Sequence, residues 1–97
     1  MNLNCELIKE ILLEVEKHPN NEIAWGNNQD ERVYHCQWLI DNNLIEADVH
    51  PEINNQKGIM SKSLTSSGVK LLKRINSDPT NLKIIIDSFI KMKARGH

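Results

Sequence analysis

Residues 44–64 read LIEADVHPEINNQKGIMSKSL. Apolar and polar side chains largely alternate over residues 44–49 and again over 59–64, which is the period-two pattern of a half-buried β-strand. Residues 50–58, between these two segments, are polar and include Pro51 and Gly58, so they indicate a loop. The stretch therefore predicts a β-hairpin, and the segments on either side are interpreted relative to it.

Two helices and a short strand are predicted before the hairpin. The first helix spans about residues 3–17, where apolar residues recur at intervals that place them on one face. A strand at 22–25 and a turn at 26–28 follow. The second helix spans about 30–42, and either Asp30 or Asn28 is expected to cap its N-terminus. Its inward side chains are expected to be Val33, Cys36, Leu39 and Ile40.

Two further helices are predicted after the hairpin. Thr65 is a good N-cap for a helix over about 66–76, with Val69, Leu72 and Ile75 inward. Pro79 favours the first turn of a last helix over about 79–94, which carries a wide apolar stripe. Asn-Asn pairs at 20–21, 27–28, 42–43 and 54–55 all fall in predicted turns or at helix ends, which supports this segmentation.

The order helix, strand, helix, hairpin, helix, helix is that of a winged helix-turn-helix domain. The predicted fold is therefore α+β, with a two-stranded wing at about 44–64 and extra C-terminal helices. In this arrangement the helix at 30–42 takes the place of the recognition helix. A chain of 97 residues suits one such domain, residues 1–97.

The composition is that of a folded, water-soluble protein, with 39% hydrophobic and 26% charged residues. No run approaches the roughly 20 apolar residues that cross a bilayer, and no export signal opens the sequence, so no membrane partner is expected. Cys5 and Cys36 lack a CxxC spacing and are expected to be reduced thiols in a cytoplasmic protein.

Four segments carry a resemblance to a known family: LIKEILLEVE at 7–16, VYHCQWLI at 33–40, NLIE at 43–46 and LTSSGVKLL at 64–72. Over about residues 1–90 the chain resembles small uncharacterised proteins of prophages and other mobile elements, which carry a domain of unknown function. Asn43 stands where that family usually has glycine, and Val69 where it often has histidine. Because the family has no agreed activity, the resemblance implies a fold and a mobile-element context rather than a mechanism.

The net charge of −1 conceals an uneven distribution of charge along the chain. Residues 1–52 carry eleven acidic and three basic side chains, a net charge of −8, whereas residues 53–97 carry nine basic and two acidic ones, a net charge of +7. Such a split is typical of a polyanion-binding face or of charge-complementary association. The alternative is that the acidic first helix and the basic last helix neutralise each other within the fold.

Eight side chains are candidates for binding duplex DNA. On the helix at 30–42, Arg32, His35 and Gln37 are placed to bond base edges if that helix enters a groove. The other five are basic residues of the wing and the following helix: Lys57, Lys62, Lys70, Lys73 and Arg74. Carboxylates at positions 30, 31 and 41 oppose phosphate contacts by the recognition helix. The leading hypothesis is thus a mobile-element, regulator-like protein that contacts DNA through its wing and later helices.

The alternative function is a protein-interaction module. Tyr34 and Trp38 are expected to point away from the core on the helix at 30–42, where an exposed aromatic pair would dock a host or phage protein. The competing interpretation is that the last helix folds back and covers both rings. That helix equally suits pairing with a second chain, so monomer and homodimer both stay open.

No enzymatic chemistry is indicated. The four histidines lack metal-ligand spacing, and Cys36 is expected in the core, where a thiol is unreactive. The four glycines are isolated and form no phosphate-binding loop. The sequence therefore predicts a binding protein without a cofactor, a metal or a catalytic residue.

Overall fold

The computed structural model describes residues 2–50 and 53–95, and within them the chain forms four α-helices and a three-stranded antiparallel sheet. The fold is mixed α+β, and its elements follow the predicted order. Their bounds are α1 (Cys5–Lys17), β1 (Glu22–Gly26), α2 (Glu31–Asp41), β2 (Ile45–Val49), β3 (Lys57–Leu64), α3 (Ser66–Ser77), a 3₁₀ turn (Pro79–Asn81) and α4 (Leu82–Arg95).

The predicted hairpin is confirmed as β2 and β3, which pair antiparallel from Ile45 opposite Leu64 to Val49 opposite Ile59. The strand order is β1-β3-β2, so β1 pairs with the free side of β3 and completes the sheet. One bulge interrupts β1 between Glu22 and Ala24. This third strand makes β3 the central strand, paired along both of its edges.

Side-chain caps fix where three of the helices begin. The Oδ1 atom of Asp30 accepts from the backbone N–H groups of Arg32 and Val33, and the Oγ1 of Thr65 accepts from the N–H of Gly68. Thr65 was the predicted cap of its helix, and Asp30 was one of the two predicted alternatives, the other being Asn28. Asn4 caps α1 in the same way. These bonds satisfy backbone donors that have no partner within their helix.

Asparagines hold the turns, as their paired occurrence predicted. Asn20, Asn43, Asn54 and Asn55 all have positive φ angles, between 55° and 65°. Asparagine tolerates this left-handed region better than most residues because its side chain bonds locally. The consecutive pair Asn54-Asn55 lies between the bridged residues Ile53 and Gln56 and turns the tip of the β2–β3 connection.

The core forms around α1, whose inward residues Ile8, Ile11, Leu12 and Val15 have almost no exposed surface. Helices α2, α3 and α4 and strand β3 all pack against α1. The buried apolar residues of the other elements complete one cluster: Ile23, Ala24, Val33, Cys36, Leu39, Leu44, Ile45, Ile59, Leu71, Leu72, Ile75, Leu82, Ile85 and Ile86.

Two expectations about which side chains face inward are wrong. His35 is fully buried rather than outward, because α2 turns its His35 side toward the start of α1. Ile40, expected inward, is half-buried and packs against the core. Val69 is 36% exposed rather than inward. The inward side of α3 contains Gly68, whose missing side chain lets the helix approach the backbone of Leu44.

Candidate binding site

The outward side of α2 carries a cleft of about 370 Å³, which we call the aromatic cleft. Its walls are formed by α2 together with one residue from the preceding turn and one from the start of β3. The lining residues are Asn28, Val33, Tyr34, Gln37, Trp38, Asp41 and Lys57. Helix α4, whose folding back over Tyr34 and Trp38 was one interpretation, instead packs against α1 and α3.

Tyr34 and Trp38 supply the aromatic surface of the cleft. They are four residues apart on α2, so their side chains lie one above the other on the same face. Both are half-buried, and Trp38 also packs against the core. The ring of Tyr34 meets the ring of His35 edge-on, with 5.3 Å between centroids. The two rings are therefore held by the fold and still reach the cleft.

Two hydrogen bonds link three of the polar residues that line the cleft, one on β3 and two on α2. The Nζ of Lys57 donates to the Oε1 of Gln37 at 3.1 Å, and the Nε2 of Gln37 donates to the Oδ1 of Asp41 at 2.9 Å. Both ends of the Gln37 amide thus have partners within the protein. Gln37 and Lys57, expected among the DNA contacts, here act together as part of one polar wall.

Arg32 joins α2 to α1 and β1. Its Nε donates to the carbonyl of Ile23, and its guanidinium forms an ion pair with Glu14. About two thirds of each charged side chain is covered, at 31% exposure for Arg32 and 34% for Glu14. Arg32 therefore stabilises the packing of α2, and its Nε and one terminal nitrogen already bond within the protein.

His35 is bonded at both ring nitrogens. The backbone N–H of Asn4 donates to Nε2 at 2.8 Å, so Nε2 is an acceptor and carries no hydrogen. Nδ1 lies 2.7 Å from the carbonyl oxygen of Glu31 and donates to it. The ring is neutral in this arrangement and has no exposed surface. The expected outward position of His35 for base contacts is therefore wrong.

The basic residues predicted on the wing and on the following helix lie in different places. Lys62 lies on the sheet, 3.5 Å from the Oδ1 of Asp48, with both side chains more than half exposed. Lys70, Lys73 and Arg74 are exposed on α3. Lys70 and Arg74 border a groove of about 240 Å³ between α3 and α4. Only the three residues of α3 share an exposed helix face.

Trp25 is an exposed aromatic residue for which no role was predicted. Its side chain is 49% exposed, and its Nε1 donates to the Oε1 of Gln56 at 2.9 Å. Gly58 lies opposite on β3, where an added Cβ would come within 2.6 Å of the indole ring. The sequence signal that could have indicated this contact is Gly58, because a glycine within a strand often marks a site where another group lies close to the backbone.

A model of the family described as Hypothetical protein (DUF2513) matches residues 2–85 of the chain. The chain belongs to the DUF2513 family. This agrees with the resemblance to an uncharacterised family seen in the sequence. Neither the curated proteins nor the solved structures yield a match to this DUF2513 chain.

The described part of this DUF2513 chain has neither a group of three or more residues that could hold a metal ion nor a helix long and apolar enough to cross a membrane. Cys36 is fully buried, and burial raises the pKa of its thiol to about 12. The pKa of Cys5 is also raised, first by burial and next by the carboxylate of Asp87. Neither thiol is activated as a nucleophile.

The raised pKa of Cys36 predicts a protected thiol. In a Cys5→Ser variant of this DUF2513 protein, Cys36 is expected to stay unreacted with a disulfide reagent at about pH 8, because the thiolate fraction is small and the sulfur is covered. Absorbance of the released thiolate measures this. Full reaction after adding guanidinium is the control, and rapid stoichiometric reaction of the native protein would contradict the placement.

Proposed function

We propose that this protein is a non-enzymatic winged-helix module of mobile elements that captures a partner protein in its aromatic cleft. The strand order β1-β3-β2 and the hairpin that directly follows α2 support the winged-helix assignment. In that arrangement α2 is the recognition helix, and the aromatic cleft lies on the side that such proteins present to their target.

One observation supports a protein rather than DNA as the partner bound by α2. The three side chains that were expected to read bases there are all bonded within the protein: Arg32 to Ile23 and Glu14, His35 to Asn4 and Glu31, and Gln37 to Lys57 and Asp41. What the helix offers outward is the aromatic surface of Tyr34 and Trp38. That surface suits an apolar side chain better than a base edge.

The physical properties of the cleft fit a protein anchor. Tryptophan and tyrosine are enriched among the residues that dominate interface energies. Because both rings are half-buried, little side-chain entropy is lost when a partner covers them. Asp41 and Lys57 then border the apolar contact and favour a partner with polar groups of both signs around one inserted side chain.

Charge also counts against a groove contact by α2. Glu31 and Asp41 are exposed at the two ends of the helix, and Asp30 is exposed just before it. Carboxylates at these positions repel the phosphates from which most non-specific DNA affinity derives. A partner protein carries no comparable uniform negative charge.

A double variant, Tyr34→Ala with Trp38→Ala, tests the proposed function. The immobilised wild-type protein and the double variant are each used to capture proteins from the cells that produce the chain. A protein that the wild type retains and the variant does not is identified as the partner. Titration of the purified partner is then expected to show at least about thirtyfold weaker binding by the variant, as loss of a dominant interface residue predicts. Circular dichroism confirms that the variant is folded.

Lys73→Ala on α3 is the matched control, since it removes an exposed side chain far from the cleft lining and is expected to leave the affinity unchanged. An Asp41→Asn variant removes only one rim charge and guards against misfolding of the double variant. Equal affinity of wild type and a folded double variant would remove the proposal.

A second candidate is a phosphate-led contact with duplex DNA through α3. The observation that favours it is the shared exposed face of Lys70, Lys73 and Arg74, within the half of the chain that carries a net charge of +7. Such contacts position a protein on DNA without reading its sequence. The wing adds less than expected, because Lys62 pairs with Asp48 and Lys57 with Gln37.

Fluorescence anisotropy with a random duplex at several salt concentrations tests this second candidate. Three phosphate contacts predict a log–log slope of about −2.7, since each neutralised phosphate contributes about −0.9. Changing all three α3 residues to glutamine is expected to abolish the binding, whereas Tyr34→Ala leaves it unchanged. Absence of binding at low salt eliminates the candidate.

A further inference from the structure

The sheet has a solvent-facing surface on which the pairing of its strands brings several side chains together. Trp25 lies opposite Gly58, and Met60, two residues further along β3, lies opposite both Glu22 and Asp48. Directly paired residues share a face, and so do residues two apart on a strand. The bulge in β1 keeps Glu22 and Trp25 on the same side despite their odd spacing. We call this set the outer sheet face.

Trp25 is fixed in place on the outer sheet face. The indole lies against Gly58, where a side chain of any size would displace it, and its N–H is already donated to Gln56. Nearly half of the residue is nevertheless exposed. The indole therefore offers a partner its ring surface rather than its hydrogen-bond donor, and it loses little freedom on contact.

The charges around this ring are mainly negative. Glu22 and Asp48 are both exposed. Each is paired with Met60, which is two residues along β3 from Gly58, the partner of Trp25. Lys62, on the same face, is paired with Asp48, and the ring of His50 also lies beside Gly58. An electron-rich aromatic ring with carboxylates beside it complements a cation, and it repels a phosphate.

We propose that the outer sheet face binds an arginine-bearing segment of a partner protein, with the guanidinium stacked on Trp25 and bonded to Glu22 or Asp48. Arginine fits better than lysine because its planar group both stacks on an aromatic ring and bonds carboxylates with paired donors. This surface does not share a residue with the aromatic cleft, so it stands independently of the function proposed above.

Nuclear magnetic resonance titration tests the assignment with a capped peptide of arginine and glycine alone. The indole N–H resonance of Trp25 and the amides of Gly58 and Met60 are expected to shift. The same peptide with citrulline in place of arginine keeps the shape and lacks the charge, and it is expected to bind at least about threefold more weakly.

Variants separate the ring from the carboxylates. Trp25→Leu, and independently Glu22→Gln with Asp48→Asn, are each expected to weaken binding of the arginine peptide by at least about threefold, whereas Trp25→Phe keeps part of the affinity. Glu10→Gln, which removes an exposed carboxylate from α1, is the matched control and is expected to have no effect.

Three results would overturn the assignment. The first is equal binding of the arginine and citrulline peptides. The second is unchanged affinity of a folded Trp25→Leu variant. The third is a shift of the Trp25 indole resonance on raising protein concentration alone or on adding duplex DNA, because the occupant would then be a second copy of the chain or a nucleic acid.

Discussion

Replacing Gly68 by alanine is expected to destabilise the protein by about 3 kcal/mol or more. In most helices this change stabilises, by about 0.5–1 kcal/mol, because glycine has the greater freedom in the unfolded chain. Here the new Cβ would lie 2.0 Å from the carbonyl oxygen of Leu44. That carbonyl also accepts the N–H of Thr65, so relief requires moving the start of α3 away from the residue that precedes β2.

Urea denaturation followed by circular dichroism measures this effect as a fall in the free energy of unfolding. Lys73→Ala on the same helix is the control, and it is expected to change stability by less than about 0.5 kcal/mol because the side chain is exposed. A Gly68→Ala protein as stable as the wild type would show that α3 does not approach Leu44 as described.

Replacing His35 by alanine is expected to cost about 3 kcal/mol of stability. The change opens a cavity in the core, and it also leaves the N–H of Asn4 and the carbonyl of Glu31 without the partners that the ring supplies. His35→Phe fills the space but restores neither hydrogen bond, so an intermediate loss of about 2 kcal/mol is expected.

The same denaturation experiment tests both His35 variants. His18→Ala, at the exposed C-terminal end of α1, is the matched control and is expected to alter stability little. Because an outward His35 would behave like His18, equal stability of the two alanine variants would restore the original expectation that His35 faces solvent.

The elements of the fold were predictable because their signals are local. Alternation specified the hairpin of β2 and β3, and Asp30 and Thr65 marked helix starts by their own side-chain bonds. Asn-Asn pairs marked turns because asparagine adopts the left-handed backbone at small cost. Each of these effects acts over only a few residues and can be seen in a single sequence.

The burial of His35 and the exposure of Trp25 were not predictable because both depend on distant partners. His35 is polar and lies beside the apolar stripe of α2, and its burial leaves Nε2 satisfied because the N–H of Asn4, 31 residues away, donates to it. Trp25 is held by Gly58 and Gln56 after β1 pairs with β3. The register of that pairing cannot be predicted from the sequence of β1 alone.

The candidate site was predictable in part. Helical spacing placed Tyr34 and Trp38 on one face of α2, but the packing of Trp38 against the core and the bond from Lys57 to Gln37 depend on other elements. The bonding of Arg32 within the protein likewise depends on Glu14 and Ile23, from two other elements. Whether a side chain is free to bind a partner depends on its tertiary contacts. Those contacts are what favour a protein partner over DNA at α2.

Site-specific photocrosslinking in the producing cells tests the central claim most directly. A photoreactive residue at position 41, on the rim of the aromatic cleft, is compared with one at position 73, on the exposed face of α3. We predict a protein adduct from position 41 that disappears when Trp38 is also changed to alanine, and no such adduct from position 73. An adduct to nucleic acid at position 41, or a protein adduct that persists without Trp38, would contradict the account.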